Sequence, residues 1–231
     1  MNLLHTEIVS DIKQKIDNEE FKVGEKLPSE RELSTKYNVS RNVVRESIGV
    51  LRENGMITVH AGKGAYVTKP DPDMIADILE RVMKNYDASI EEILEVREEL
   101  EKIIVKKVVR AAKKEDIEYM YDLYQQMEFK RKKMDIETFT KLDEDLHKLF
   151  AKSTNNPIYL LLLSSFIDLT QKILFKTTVM FPESIVEAQN QHIALIKAIE
   201  NRDEELAENL IVTHMQVIRD EIKELRGKGL I

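Results

Sequence analysis

The chain has 231 residues, 42% hydrophobic and 33% charged, with 35 Lys and Arg against 42 Asp and Glu and a formal net charge of −7. That length suits two domains, each with its own core, and the composition excludes disordered and fibrous classes. The chain has no cysteine, which excludes a disulfide framework and a thiolate metal site.

In chain order, the first expected element is an amphipathic helix from about Thr6 to Asp17, with Ile8, Ile12 and Ile16 four apart on one face. Phe21 to Glu25 leads into Pro28-Ser29, where Glu32 completes a capping box and starts a second helix near Glu30. Asn38 tolerates the left-handed conformation that closes a helix, and Ser40 caps a third helix a few residues on. This is helix-turn-helix spacing. In the third helix Val44, Ile48 and Leu51 form an apolar stripe, while Arg41, Asn42, Arg45 and Arg52 occupy the opposite face and Asn54-Gly55 ends it. After Gly55 the period changes: Ile57 and Val59 alternate with polar neighbours, and Gly62-Lys63-Gly64 turns the chain into Ala65, Tyr66 and Val67. Two glycines around a lysine let a backbone approach a phosphate while the lysine supplies charge. The pattern predicts that the third helix enters the major groove of double-stranded DNA and the hairpin wing grips the flanking backbone.

The acidic net charge argues at first against a nucleic-acid partner, but its distribution reverses that. Through Lys69 there are 11 basic against 10 acidic residues, or +1; the remainder holds 24 against 32, or −8. A monomer this weakly basic binds DNA poorly, so a homodimer that doubles the contacts is expected. The N-terminal MNLLHTEIVSDIKQKI carries acids and no long apolar run, and no stretch reads as a membrane span. No membrane partner is expected, and the cytoplasm is the default location.

Pro70-Asp71-Pro72-Asp73 breaks regular structure and sets a boundary after Lys69. From there to Glu224 the chain has no glycine, and helices are expected at about 73–86, 89–112, 115–133, 136–153, 157–180, 184–200 and 203–226. Ser89 with Glu92 and Ser184 with Glu187 read as capping boxes, and Pro157 follows Asn156 at a first helical position. The expected fold class is mainly α: an N-terminal winged helix-turn-helix followed by an all-α bundle.

One constellation in the bundle carries chemistry. Asp143 and His147 are four apart on one helix, along the border of a stripe made by Phe139, Leu142, Leu146, Leu149 and Phe150, with Glu144 and Asp145 expected on other faces. His192 and His214 lie near the inward faces of the last two helices. Imidazoles with one carboxylate suit Zn²⁺, Ni²⁺, Mn²⁺ or Fe²⁺. By spacing alone, partly buried hydrogen-bonding histidines and a surface Asp143–His147 pair remain open readings.

The stretch PSERELSTKYNVSRNVVRESIGVLRENGMITVHAGKGAYV resembles the winged helix-turn-helix of the GntR superfamily of bacterial transcription regulators, in the family's P-S-E-R-E-L-A, S-R-x-x-V-R-E-A and G-x-G-x-x-V segments. The resemblance implies that Arg31, Arg41 and Arg45 contact phosphates or bases, with Ser40 and Asn42 at the helix start and Gly62 and Lys63 at the wing tip. The family's alanine after R-E is Ser47 here, and the next small position is Gly49, which costs a helix about 1 kcal/mol relative to alanine. From about residue 73 the chain resembles the helical effector domain, called FCD, of the FadR-type subfamily. E-V-R-E-E-L-E around Arg97, D-x-x-x-H at Asp143 and His147 before Asn156-Pro157, and two histidines 22 positions apart in the last helices carry the likeness. The family's S-G-N is Thr154, Asn155 and Asn156 here.

This second resemblance implies a divalent transition metal held by Asp143, His147, His192 and His214, and a small carboxylate effector whose charge Arg97 neutralises. The expected domains are then a DNA-binding head at 1–69, a linker and linking helix at 70–88, and an effector-binding and dimerisation domain at 89–231. The expected function is a metabolite-responsive repressor that binds a palindromic operator as a homodimer and releases it when the effector binds at the metal. Two alternatives are a metal-dependent enzyme fused to a DNA-binding head and a constitutive DNA-binding dimer with a structural metal. No base or nucleophile accompanies the histidines at a spacing such as H-E-x-x-H, so the protein is not expected to be an enzyme.

Overall fold

The structure, a computed structural model, describes residues 3–69 and 72–231. Two compact units emerge, Met1–Met74 and Ile75–Ile231. The expected break at Pro70-Asp71 lies outside the described residues. The first unit extends to Met74, whose side chain occupies the space a side chain at Gly55 would need. Gly55 itself has φ +67, which admits glycine without strain.

The first unit holds α1 (Leu3–Asp17), α2 (Glu30–Tyr37), α3 (Arg41–Glu53), β1 (Ile57–His60) and β2 (Gly64–Val67). Ile8, Ile12, Leu33, Val44, Leu51, Ile57 and Val67 form its core. The capping box is made as read: Ser29 N–H donates to the Glu32 carboxylate at 2.7 Å, and Glu32 N–H donates back to the Ser29 hydroxyl at 3.3 Å. Asn38 closes α2 at φ 52, and the Ser40 hydroxyl accepts from Val43 N–H at 3.4 Å to open α3. Tyr37 donates to Asp11, tying α2 to α1.

The buried stripe of α3 is Val44, Ser47 and Leu51, with Ile48 only half buried. Ser47 tolerates full burial because its hydroxyl donates to the Val43 carbonyl at 2.9 Å. Around Gly49, nothing lies within 4 Å of an added Cβ. Gly49→Ala is therefore expected to stabilise the unit by about 1 kcal/mol, seen as a rise of roughly 4–8 °C in its thermal midpoint. An unchanged or lower midpoint counts against that expectation.

The strands pair antiparallel, Ile57 opposite Val67 and His60 opposite Gly64. Val59, expected to alternate inward with Ile57, is instead 43% exposed, because the distal half of the hairpin carries no core beneath it. The sheet is also wider than two strands suggest. Gly24 N–H donates to Val67 O at 2.8 Å, Val67 N–H to Glu25 O at 2.9 Å and Leu27 N–H to Ala65 O at 2.8 Å, so the connecting segment braces the wing.

The second unit begins within α4 (Pro72–Tyr86) and contains α5 (Ile90–Ala111), α6 (Lys114–Lys132), α7 (Ile136–Ser153), α8 (Pro157–Met180), α9 (Ser184–Glu200) and α10 (Glu204–Gly227). α5 packs against α7, α8, α9 and α10, and α7 against α6 and α8, so these two helices form the middle of the bundle. Leu146, Phe150, Leu163, Ile167, Ile196 and Ile211 are among its buried residues.

The Ser89–Glu92 box forms, but the Ser184–Glu187 box does not: Glu183 stands at the cap in helical conformation, and the Ser184 side chain turns to Glu221 on α10. Asn155 has φ 58, which accounts for glycine at this place in the related pattern. The expectation that no stretch approaches a membrane span is corrected by α8, whose 18-residue window of mean hydropathy 1.5 is long and apolar enough by composition. Only 28% of that window is buried; Ile158, Phe175, Val179 and Met180 stand exposed. Its buried side includes Leu163 and Ile167 and also Ser164, Ser165, Thr170 and Thr177, set against neighbouring helices.

Candidate functional site

In the first unit, the bonded cap at Ser40 and the buried stripe of α3 leave Arg41, Asn42 and Arg45 exposed on one face, with Arg31 exposed on α2. Gly62 (φ +71) and Lys63 are exposed at the hairpin turn, where Lys63 N–H closes onto His60 O at 3.0 Å. Arg45 pairs with Glu30 at 2.8 Å, the two side chains being 63% and 41% exposed. Such a surface pair is worth about 0–1 kcal/mol, so a phosphate or base displaces Glu30 at little cost. The Ser40 hydroxyl is engaged in capping.

In the second unit, Asp143 and His147 come from α7, His192 from α9 and His214 from α10, and one ligand atom of each lies within 4.8 Å of all the others. These four side chains are the ones that would hold a metal ion, since imidazole nitrogens with a carboxylate suit a divalent transition metal. Each imidazole turns Nδ1 to an oxygen acceptor. His147 meets Glu101, His192 meets Gln189 at 3.3 Å, and His214 meets Gln191 at 2.9 Å.

These acceptors assign the ring protons to Nδ1 and leave the Nε2 lone pairs directed at one another, the arrangement that outer partners impose on metal-binding histidines. The Nε2 atoms of His147 and His192 are buried without a hydrogen-bond partner. His192 Nε2 lies 3.1 Å from Asp143 Oδ1 but out of hydrogen-bond alignment, as two electron-pair donors stand around a common cation. On that observation the residues fit a metal ion.

Electrostatics favours neutral rings at His192 and His214 and a proton at His147 that a bound ion would have to displace. Burial, helped by the neighbouring imidazoles, pushes the His192 and His214 pKa values down to about 3, so both rings are neutral near pH 7. Burial also disfavours a cation on His147, but the adjacent Glu101 charge outweighs it and the pKa is raised. Glu101 is fully buried, which by itself raises a carboxyl pKa; His147 and Arg97 reverse that and hold it well below the usual range. Arg97, 3% exposed, donates from Nε to Glu101 at 2.7 Å and from Nη1 to Thr170 at 3.2 Å. A continuous chain therefore runs from α8 through Arg97 and Glu101 to His147.

A cleft opens beside the cluster, lined by Arg97, Asp143, Glu144, His214 and Glu221 and by apolar side chains that include Leu174 and Phe181. Glu144, expected on another face, is 7% exposed and lines this cleft. The reason is that α7 is flanked by α5, α6 and α8, so its buried arc is wider than its apolar stripe. Burial pushes the Glu144 and Glu221 carboxyls up. Sequence reasoning missed Glu101 as the His147 acceptor, although its spacing of four from Arg97 was visible. Gln189, three residues before His192 on the same helix, was visible in the same way, whereas nothing local marks Gln191 or Glu221.

A winged head with an exposed basic face and a helical unit with a candidate ligand cluster beside a cleft define a ligand-responsive DNA-binding regulator. Residues 4–67 match the model for bacterial regulatory proteins of the gntR family, and residues 92–217 match the FCD domain. The chain belongs to the GntR family of bacterial regulatory proteins and carries an FCD domain. It is 30% identical over 217 residues to the HTH-type transcriptional repressor NanR of Citrobacter rodentium, covering 91% of this chain and 82% of that one. To NanR of Cronobacter sakazakii it is 29% identical over 218 residues, with the same two coverages. Its fold is similar to that of a Streptococcus agalactiae GntR structure, with a TM-score of 0.74 at 23% identity over 94% of this chain and 99% of that one. A weaker likeness, TM-score 0.53 at 18% identity over 98% of this chain and all of the other, links it to Escherichia coli McbR/YncC. This is a metabolite-responsive DNA-binding transcription regulator and not an enzyme.

Proposed function

We propose that the protein is a cytoplasmic homodimeric repressor that binds a palindromic operator and releases it when a small carboxylate binds at a divalent transition metal. The metal ligands are Asp143, His147, His192 and His214, and the DNA contacts come from Arg31, Ser40, Arg41, Asn42, Arg45, Gly62 and Lys63. The observation that carries the effector half is the convergence of buried, partnerless imidazole nitrogens on Asp143 beside a cleft. When bound there, the ion supplies a Lewis-acidic point for a carboxylate oxygen. Arg97 lines the cleft with its Nε engaged by Glu101, so its part is to bring positive charge near the carboxylate while positioning Glu101.

The open cleft beside the ligands favours an exchangeable effector over a closed structural site. The repressor reading draws on the NanR relatives, themselves repressors. The dimer reading draws on the exposed apolar side of α8, which a second copy would cover. Ligand binding acts by differential affinity: an effector that favours the DNA-incompetent arrangement 100-fold shifts the equilibrium by about 2.7 kcal/mol.

Metal analysis of protein purified without chelator or affinity-tag metal tests this reading. About one transition-metal ion per chain is expected in the wild type, and a large loss in His147→Ala. No metal in either protein, or full occupancy in the variant, removes the metal site and leaves the DNA-binding function standing.

A further inference from the structure

The head is only weakly basic, so each cation that stands clear of an acid counts toward its hold on DNA. Lys26 is such a cation, and it lies outside both the helix-turn-helix and the wing. Leu27 is 2% exposed in the core, and alternation along an extended segment turns its neighbour Lys26 to the outer face. Lys26 forms an antiparallel bridge with Tyr66, which lays the connecting segment along β2. From there its side chain runs toward the wing turn: Cε lies 2.8 Å and Nζ 3.6 Å from where a Cβ on Gly64 would stand. Gly64, at φ +108, therefore turns the chain and also leaves the lysine stem room to cross the backbone. Lys26 is exposed and makes no ion pair among the described residues. Glu32 lies within its electrostatic reach, and the Glu32 carboxyl is held below the usual range first by its Ser29 hydrogen bonds and then, more weakly, by the charges of Lys26 and Arg31. That carboxylate is committed to the Ser29 amide at 2.7 Å, and both cations are left beside the start of α2.

We propose that Lys26 is a further phosphate-binding residue of the head, its ammonium set across Gly64 to meet the DNA backbone between the wing turn and the start of α2. The inference rests on the reading of α3 and the wing as the DNA-binding face. In that reading Lys63 meets the duplex from the turn and Arg31 from α2, and Lys26 has one neighbour on each side. A point charge on a flexible stem suits a phosphate oxygen and carries no base preference. Its effect falls on affinity for any duplex and on salt dependence, not on sequence choice.

The test is fluorescence anisotropy of the full-length protein across a range of salt concentrations on two duplexes, one selected from random sequence by the wild type and one of scrambled sequence. Lys26→Met keeps a stem over Gly64 and removes the charge, whereas Lys26→Arg keeps the charge. Lys26→Met is expected to weaken binding to both duplexes by one common factor of about threefold or more, and to reduce the slope of log affinity against log salt by about 0.9 for each head bound. Lys26→Arg is expected to retain the wild-type slope. An unaltered slope in Lys26→Met, or a loss confined to the selected duplex, overturns the proposal; so does normal binding by Lys26→Met with weakened binding by Lys26→Arg, the pattern of a stem that only supports the wing. Arg45→Ala measured alongside keeps the two readings apart. Loss of the selected duplex in Arg45→Ala with wild-type behaviour in Lys26→Met removes Lys26 and spares the DNA-binding face, whereas normal binding by Arg45→Ala fails the face and the inference with it.

Discussion

Replacing Arg45 by alanine is expected to abolish specific DNA binding while leaving the fold and the dimer intact. Arg45 projects from the exposed face of α3, and its partner in the structure is the half-exposed Glu30, a surface pair worth about 0–1 kcal/mol. The fold therefore loses little. A guanidinium that contacts a base pair or phosphate contributes roughly 1–3 kcal/mol, and a homodimer presents it twice. The combined loss of roughly 2–6 kcal/mol corresponds to a weakening from about 30-fold to above 10⁴-fold. Fluorescence anisotropy on a duplex selected from random sequence by the wild type, at moderate salt, measures it. Affinity retained within about threefold, with normal circular dichroism, would remove α3 from its role as the reading helix.

The second large effect lies in the core of the helical unit. Glu101→Ala takes the acceptor from His147 Nδ1 and leaves the Arg97 guanidinium, 3% exposed, with Thr170 alone. Removing one partner of a buried ion pair costs about 3–5 kcal/mol, because the other charge stays behind without compensation. Losing the oriented carboxylate behind a metal-binding histidine weakens metal affinity about 10- to 100-fold. Glu101→Gln keeps the shape and one acceptor oxygen, so its stability loss is expected to be smaller. Urea unfolding of the helical unit and competitive metal titration of both variants separate the two effects. An unfolding free energy within about 1 kcal/mol of wild type in Glu101→Ala would show that the chain from Arg97 to His147 carries little load.

Much of this protein is written in local signals. The Ser29 and Ser89 capping boxes, the left-handed Asn38, the proline after Asn156 and the lack of glycine through the bundle each act within a few residues, so they place helix ends without knowledge of the fold. Asp143 and His147 were legible for the same reason: a spacing of four on a helix puts two side chains on one face. The Ser184 box failed because a hydroxyl that can cap locally can also turn to a carboxyl on another helix, and Glu221 was there. Glu144 was misplaced because its own helix pattern marked it as solvated, while burial came from α8 packing over it.

The sequence by itself determined most of the helices, the exposed basic face of α3 and the wing, because helix periodicity, capping and turn chemistry are set by neighbours along the chain. Only the tertiary structure decided that Glu101 stands behind His147 and Gln191 behind His214, that Arg97 also reaches Thr170, and that Glu144 and Glu221 face the same space. Those pairings join α5 to α7, α9 to α10, α5 to α8 and α7 to α10, and no periodicity within one helix encodes the rotation of another against it.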